Sequence, residues 1–201
     1  MSSFTVQFDQ VQLDAVKAML NIFPDMAERV LYKSINKTLT EVKSDISEGV
    51  RRVVTADQET VDGKIRLSNA SLKKLSGLVS LAGAPLPISK FPAIQEPWGV
   101  LARIYKAQPY RRITSSFLAT MKSGHVGAFR RETLIQPAGV PVNRPWKRMP
   151  KAFRLPIEEM YGPSLGTILQ SPPVMEPVLS KLGDHLDANL EDQTQRELAR
   201  L

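Results

Sequence analysis

The strongest constraint on the fold is a long amphipathic segment that begins at Pro24 and ends near Val53. Its apolar residues recur every three or four positions, which is the period of one helical face. Pro24 suits the first turn of a helix, and Arg51 and Arg52 suit the last turn, where the helix dipole favours cations. The sequence therefore predicts a helix of about 45 Å over residues 24–54, which either spans a core or packs partly against a neighbouring subunit. The apolar stripe consists of Leu31, Ile35, Leu39, Val42, Ile46, Val50 and Val53.

The rest of the chain alternates between strand-like and helical patterns. Residues 1–23 begin with a short strand pattern and form an N-terminal strand or arm, and residues 71–161 form a β region. A projecting proline-rich loop is expected at 132–152 within that region, and a helical segment at 163–201. This order predicts a single α+β domain over residues 1–201, with antiparallel sheet or hairpins packed on helices.

Two hairpins and one closing helix are specific enough to be tested. Residues 75–81 and 86–91 both alternate, which predicts one hairpin, and residues 116–121 with 126–131 predict another. The C-terminal helix is amphipathic, and Pro177 and Gly183 are the positions where it could break. Its apolar stripe consists of Met175, Leu179, Leu182, Leu186 and Leu190.

Composition excludes several kinds of site. The chain has no cysteine and only two histidines, so disulfides, thiolate chemistry and a histidine-rich metal site are not expected. No apolar run approaches the roughly 20 residues of a membrane helix, and the N-terminus lacks the pattern of a signal peptide. We therefore expect no cofactor, no metal and no membrane partner, and synthesis in a cytoplasm.

The charge is distributed unevenly along the chain. Residues 101–154 carry twelve Lys or Arg and one acid, whereas residues 155–201 carry three basic and eight acidic residues. The first segment could face a polyanion, or the acidic end of one copy could meet the basic segment of another. The candidate basic residues are Arg111, Arg112, Arg130, Arg131, Arg144, Lys147, Arg148, Lys151 and Arg154. The candidate acidic interface residues are Glu158, Glu159, Asp184, Asp187, Glu191 and Asp192.

No residue pattern predicts catalysis. His125 lies in a Ser-Gly-His-Val-Gly stretch without a nucleophile elbow nearby, so it is interpreted as a turn residue. Glu158 and Glu159 are adjacent, and neighbouring strand residues point to opposite faces, so they are not a carboxylate pair. No phosphate-binding loop is present either. Basic and aromatic residues together suit nucleic acid as well as subunit interfaces, so non-specific nucleic-acid binding by residues 101–154 is the alternative function.

Two blocks of sequence resemble a known family. The stretch SSFLATMKSGHVGAFRR (115–131), followed by RLPIEEMYGPSLGTIL (154–169), resembles the minor tail protein Z family of long-tailed bacteriophages, also called tail completion proteins. The helix PDMAERVLYKSINKTLTEVKSDISEGVR and the following KIRLSNAS are similar to the family too, so the resemblance spans about residues 24–190. The insert at 134–150 departs from the pattern, since family members are expected to have a shorter link there.

The resemblance implies a structural virion protein without catalytic residues. It implies a ring-forming subunit, expected to be hexameric, at the head-proximal end of the tail, where it completes the tail and permits head joining. Its partners would be other copies and tail terminator, tail tube or head completion proteins, and its basic segment could also contact genomic DNA in the channel.

Overall fold

The structure is a computed structural model that describes residues 2–7, 24–131 and 157–200. The chain forms two compact units. The helical unit comprises Met1–Pro85 and Pro163–Leu201, and the β unit comprises Leu86–Gly162. The predicted α+β class is confirmed, and the single domain over residues 1–201 stays a prediction. The predicted loop at 132–152 lies outside the described residues.

The long predicted helix, α1, extends from Pro24 to Val53. Six of its seven predicted stripe residues are at most 1% exposed, from Leu31 to Val50. Val53 is half-buried, whereas Val54, just after the helix, is fully buried. Each of these apolar side chains contributes about 1.5–3 kcal/mol on burial, so the stripe is the centre of the core of the helical unit.

A three-stranded antiparallel sheet packs on α1. Its strands are β1 (Ser2–Gln7), β2 (Ile65–Ser68) and β3 (Ser76–Leu81), in the order β1-β3-β2. A short helix, α2 (Gln58–Asp62), precedes β2. On α1, the Asn36 side chain donates to the Ala70 carbonyl and accepts from the Ala70 N–H, which fixes the connection between β2 and β3.

The predicted hairpin between residues 75–81 and 86–91 is wrong. β3 pairs instead with β1 and β2. Its alternate residues Gly77, Val79 and Leu81 are buried on the side that meets α1. The following segment forms only the short strand β4 (Pro85–Pro87) and a 3₁₀ turn, Ile88–Lys90. Its prolines lack the N–H groups that a ladder needs.

Two helices complete the helical unit. They are α3 (Leu165–Leu169), capped by Ser164, and α4 (Pro172–Leu198), which packs along α1. α4 runs through Pro177 and Gly183 without a break, because the buried Val174 and Val178 hold its first turns against α1. The predicted leucine stripe is only partly correct, since Leu186 is buried whereas Leu179 is 50% exposed.

The β unit contains two three-stranded antiparallel sheets. The first has the order β5-β6-β7, with β5 at Ala93–Glu96, β6 at Gly99–Ala102 and β7 at Arg111–Thr114. The second has the order β10-β9-β8, with β8 at Ser116–Thr120, β9 at Val126–Arg131 and β10 at Ile157–Glu159. The last strand, β11 (Tyr161–Ser164), pairs with β4.

The second predicted hairpin is confirmed, since β8 and β9 form an antiparallel pair from Ser116 opposite Arg130 to Thr120 opposite Val126. Gly124 takes a positive φ of 82° in the connecting turn, a conformation that glycine adopts without strain. Ser115 joins β7 to β8 with φ 58°, so the chain leaves one sheet and enters the other at a single residue. The buried Ser116 hydroxyl accepts from the Val100 N–H and donates to the Ile113 carbonyl, which ties this corner to the first sheet.

Candidate interaction surfaces

The first pair of predicted basic residues lies on β7, at the edge of its sheet. Arg111 and Arg112 are exposed, and their backbones pair with Ala102 and Leu101 of β6. The Arg112 guanidinium stacks over the Trp98 ring at 4.2 Å from its centroid. A cation held on an aromatic face keeps its hydrogen-bonding groups available at the plane's edge. β7 is therefore an exposed basic edge with an aromatic support.

The second pair, Arg130 and Arg131, lies at the end of the central strand β9. Both are exposed, and the Arg131 guanidinium lies 5.2 Å from the centroid of the Phe117 ring. Arg130 is directly opposite Glu158 of β10 in the antiparallel register. Predicted Glu158 thus has a cross-strand arginine in its own chain. The five other predicted basic residues, Arg144, Lys147, Arg148, Lys151 and Arg154, lie outside the described residues.

His125 forms part of a small polar cluster rather than a bare turn. Its Nε2 lies 2.7 Å from Oε1 of Glu159, and the other oxygen of Glu159 accepts from the Tyr161 hydroxyl at 3.0 Å. The hydrogen bond and the charge of Glu159 raise the pKa of Tyr161. Gly127 leaves the room for this, since a Cβ there would lie 2.8 Å from the Glu159 carboxylate. The cluster connects the β8–β9 turn to β10 and to Tyr161, which follows β10.

Glu159 was predicted as an interface acid, and the structure gives it an internal role. Its side chain is 17% exposed, while the neighbouring Glu158 is exposed on the other face of the strand. The prediction that the two carboxylates do not converge is confirmed.

The predicted acidic residues of α4 separate into two sets. Asp184, Asp187 and Glu191 are exposed, and their spacing of three and four residues places them on one face. We call these three residues the acidic face. Asp192 instead accepts from Lys37 of α1 and from Arg196, each at 2.9 Å. The Lys37 hydrogen bond lowers the pKa of Asp192 against the opposing effect of burial.

A row of ion pairs, which no sequence pattern predicts, joins α1 to α4. At one end Lys181 and His185 donate to the two oxygens of Asp45, both at 2.8 Å. Burial raises the pKa of Asp45, but these two hydrogen bonds outweigh it, and the pKa lies below its ordinary value. At the other end Lys33 donates to the nearly buried Glu197 at 2.6 Å and lowers its pKa.

Between these two ends, the interface of α1 and α4 contains a buried amide. Asn189 is 3% exposed and donates to Thr38 Oγ1 at 3.1 Å and to the Glu41 carboxylate at 2.6 Å. The Asn189 backbone carbonyl accepts from the Ser34 hydroxyl, so these polar groups satisfy one another. The opposite charges on α1 and α4 could have been matched in the sequence only once the two helices were known to pair.

No group of three or more His, Cys, Asp or Glu residues converges as a metal site in residues 2–7, 24–131 and 157–200. The helices in the same ranges are not long and apolar enough to cross a membrane.

Comparison with family models, with curated proteins and with solved structures finds no match to this chain. The resemblance to the tail completion proteins therefore stays a prediction from its sequence blocks.

Proposed function

We propose that this chain is a structural, non-enzymatic virion protein of a tailed bacteriophage. It assembles into a ring at the head-proximal end of the tail, and its copies meet through surfaces of opposite charge. The observation that carries the proposal is the separation of charge on the described surface: exposed arginines on β7 and β9 of the β unit, and the acidic face on α4 of the helical unit. The sequence blocks at 115–131 and 154–169 support the tail assignment.

Two different surfaces that complement each other favour a head-to-tail contact. Such a contact pairs one surface of each copy with the other surface of the next, and it closes into a ring when the rotation between copies permits. Each exposed ion pair contributes only about 0.2–1 kcal/mol, so the charges set orientation and encounter rate more than affinity. Arg112 and Arg131 lie over aromatic rings, which holds their planar groups in place for carboxylates.

Charge reversal tests the contact directly. The triple variant Asp184→Lys, Asp187→Lys, Glu191→Lys and the double variant Arg111→Glu, Arg112→Glu should each reduce the oligomer seen by native mass spectrometry and light scattering. An equimolar mixture of the two variants should recover mixed oligomers, because the reversed surfaces complement each other. Oligomers of the wild type should weaken between about 0.05 M and about 0.5 M salt, as screening lengths fall.

A matched control separates a specific contact from net charge. Glu28, Glu48 and Glu59 are exposed acids outside α4, and changing all three to lysine alters the charge equally. This control should assemble like the wild type. Equal loss of oligomer in the control, or salt-independent rings with no effect of either reversal, would show that these surfaces do not join the copies.

The proposed ring has neighbours in the virion. Tail terminator, tail tube and head completion proteins are the partners expected for a protein at this position, and the host cytoplasm is where it would be made. Co-assembly of the purified chain with tail tubes, followed by electron microscopy, should place it at one tube end. Uniform decoration along the tube would contradict that position.

A second candidate is non-specific nucleic-acid binding by residues 101–154. The observation that favours it is Arg112 stacked on Trp98 at an exposed strand edge, since basic and aromatic groups together bind phosphates and bases. Filter binding with a labelled oligonucleotide discriminates the two. Tight, salt-sensitive binding by a monomer, lost in Arg111→Glu, Arg112→Glu, would favour this candidate, whereas rings with weak DNA binding favour the tail protein.

A further inference from the structure

A polar cavity lies on the face of α1 next to α2, within the helical unit. Its volume is about 150 Å³. At 100° per residue, the five α1 positions fall on a single stripe of the helix, beside the apolar stripe. The lining residues are Thr40, Lys43, Ser44, Ser47 and Arg51 from α1, with Gln58 and Asp62 from α2.

The cations of this cavity lack partners in the described structure. Arg51 is half-buried, and among the described residues its Nε is buried with no hydrogen-bond partner. In the same part of the chain, neither Lys43 nor Arg51 takes part in an ion pair. A buried guanidinium nitrogen without an acceptor is costly unless a ligand supplies one.

The one acid of the cavity is already engaged. The buried Ser47 hydroxyl donates to Oδ1 of Asp62. The side chains that line the cavity include two cations and one carboxylate. The Thr40 hydroxyl already donates to the Asn36 carbonyl at 3.1 Å, and the Ser44 hydroxyl lines the same space. Two cationic donors surrounded by hydroxyl and amide groups match the oxygens of a tetrahedral anion.

The volume limits what can enter. Nucleotides and drug-sized ligands occupy pockets of about 300–1,000 Å³. The cavity suits a single phosphate-sized group and not a whole nucleotide.

We propose that this cavity is an oxyanion site of the phosphate class, in which Arg51 and Lys43 bind the anion oxygens. The anion is either free phosphate or one phosphodiester of a nucleic-acid backbone, since both present the same oxygens. The site lies outside the basic segment at 101–154 and does not depend on the proposed ring.

Isothermal titration of the full chain with inorganic phosphate tests the site. The wild type should bind one phosphate with a Kd near or below about 1 mM. Lys43→Gln and Arg51→Gln should each weaken it by about tenfold or more, the loss expected for a charge-assisted hydrogen bond. The matched control is Arg52→Gln, because Arg52 is the next residue but is exposed and pairs with Glu48; it should change the Kd by less than about twofold.

The proposal is overturned if neither phosphate nor the oligonucleotide binds through Lys43, or if all variants bind with equal affinity. If Arg51→Gln loses its helical circular dichroism, the half-exposed Lys43→Gln variant decides alone. A short single-stranded oligonucleotide, titrated in parallel, identifies the source of the anion. If Lys43→Gln weakens the binding of phosphate only, the ligand is a free anion. If it weakens the binding of the oligonucleotide, the ligand is a phosphodiester.

Discussion

Gly77 offers a sharp test of how β3 packs on α1. A Cβ at this position would collide with Cδ1 of Leu39 and would lie 3.1 Å from Cγ2 of Ile35. Leu39 and Ile35 are both fully buried, so neither side chain has room to withdraw. We expect Gly77→Ala to lower the free energy of unfolding by about 1–3 kcal/mol, the usual cost of overpacking a core.

The sign of the effect should depend on Leu39. Leu39→Ala alone should cost about 2–5 kcal/mol, since it leaves a cavity at a fully buried position. It also removes the Leu39 atoms that a Cβ at Gly77 would meet, and the cavity it leaves gives Ile35 Cγ2, at 3.1 Å, room to withdraw. In that background Gly77→Ala should be neutral or stabilising by up to about 1 kcal/mol, because alanine loses less chain entropy on folding than glycine. The coupling between the two changes should then be about 1–3 kcal/mol.

Urea denaturation of the four proteins in this cycle, followed by circular dichroism, measures the coupling. Gly183→Ala is the control, because Gly183 lies in α4 and a Cβ there meets nothing within 4 Å. It should stabilise the protein by about 0.5–1 kcal/mol. Additive effects of Gly77→Ala and Leu39→Ala would refute the packing of β3 against this turn of α1.

Three further predictions follow from local geometry. Ser115→Gly should raise the free energy of unfolding by about 0.5–1 kcal/mol, measured by the same denaturation, because φ 58° strains a serine; a loss of stability would contradict this. Asp45→Asn should lower it by about 1–2 kcal/mol at pH 7, since the charged bond from Lys181 is lost at a partly screened site. The pKa of Asp45 is lowered by folding, so this difference exists above the unfolded pKa of about 3.9 and should shrink as the pH falls below it; a constant difference down to pH 2 would argue against it. Glu159→Gln should lower the pKa of Tyr161 towards about 10 in an NMR titration of the ring, and an unchanged pKa would show that the hydrogen bond does not persist in solution.

Local pattern was sufficient for some elements. The helix from Pro24 to Val53 was predictable, because its period, its first-turn proline and its terminal arginines agree. The β8–β9 hairpin was predictable because alternation on both sides of Gly124 fixes a turn and a register. These features depend on residues close together in the chain.

Pairing and side-chain partners were not predictable. β3 alternates as a strand should, but its neighbours are β1 and β2, and no local signal distinguishes them from the next segment. Among the predicted interface acids, Glu159 and Asp192 have partners in their own chain, while Asp184 remains on the acidic face. Their local sequence contexts do not reveal that difference.

By itself, the sequence determined the α+β class, the long helix, the hairpin and the uneven charge, because periodicity and composition are local properties. Only the tertiary structure decided which face of α4 is buried. Asn189 and Glu197 are polar, yet they lie inward because Thr38, Glu41 and Lys33 on α1 satisfy them. A polar group is buried only where a distant partner completes its hydrogen bonds, and the placement of that partner is a property of the folded chain.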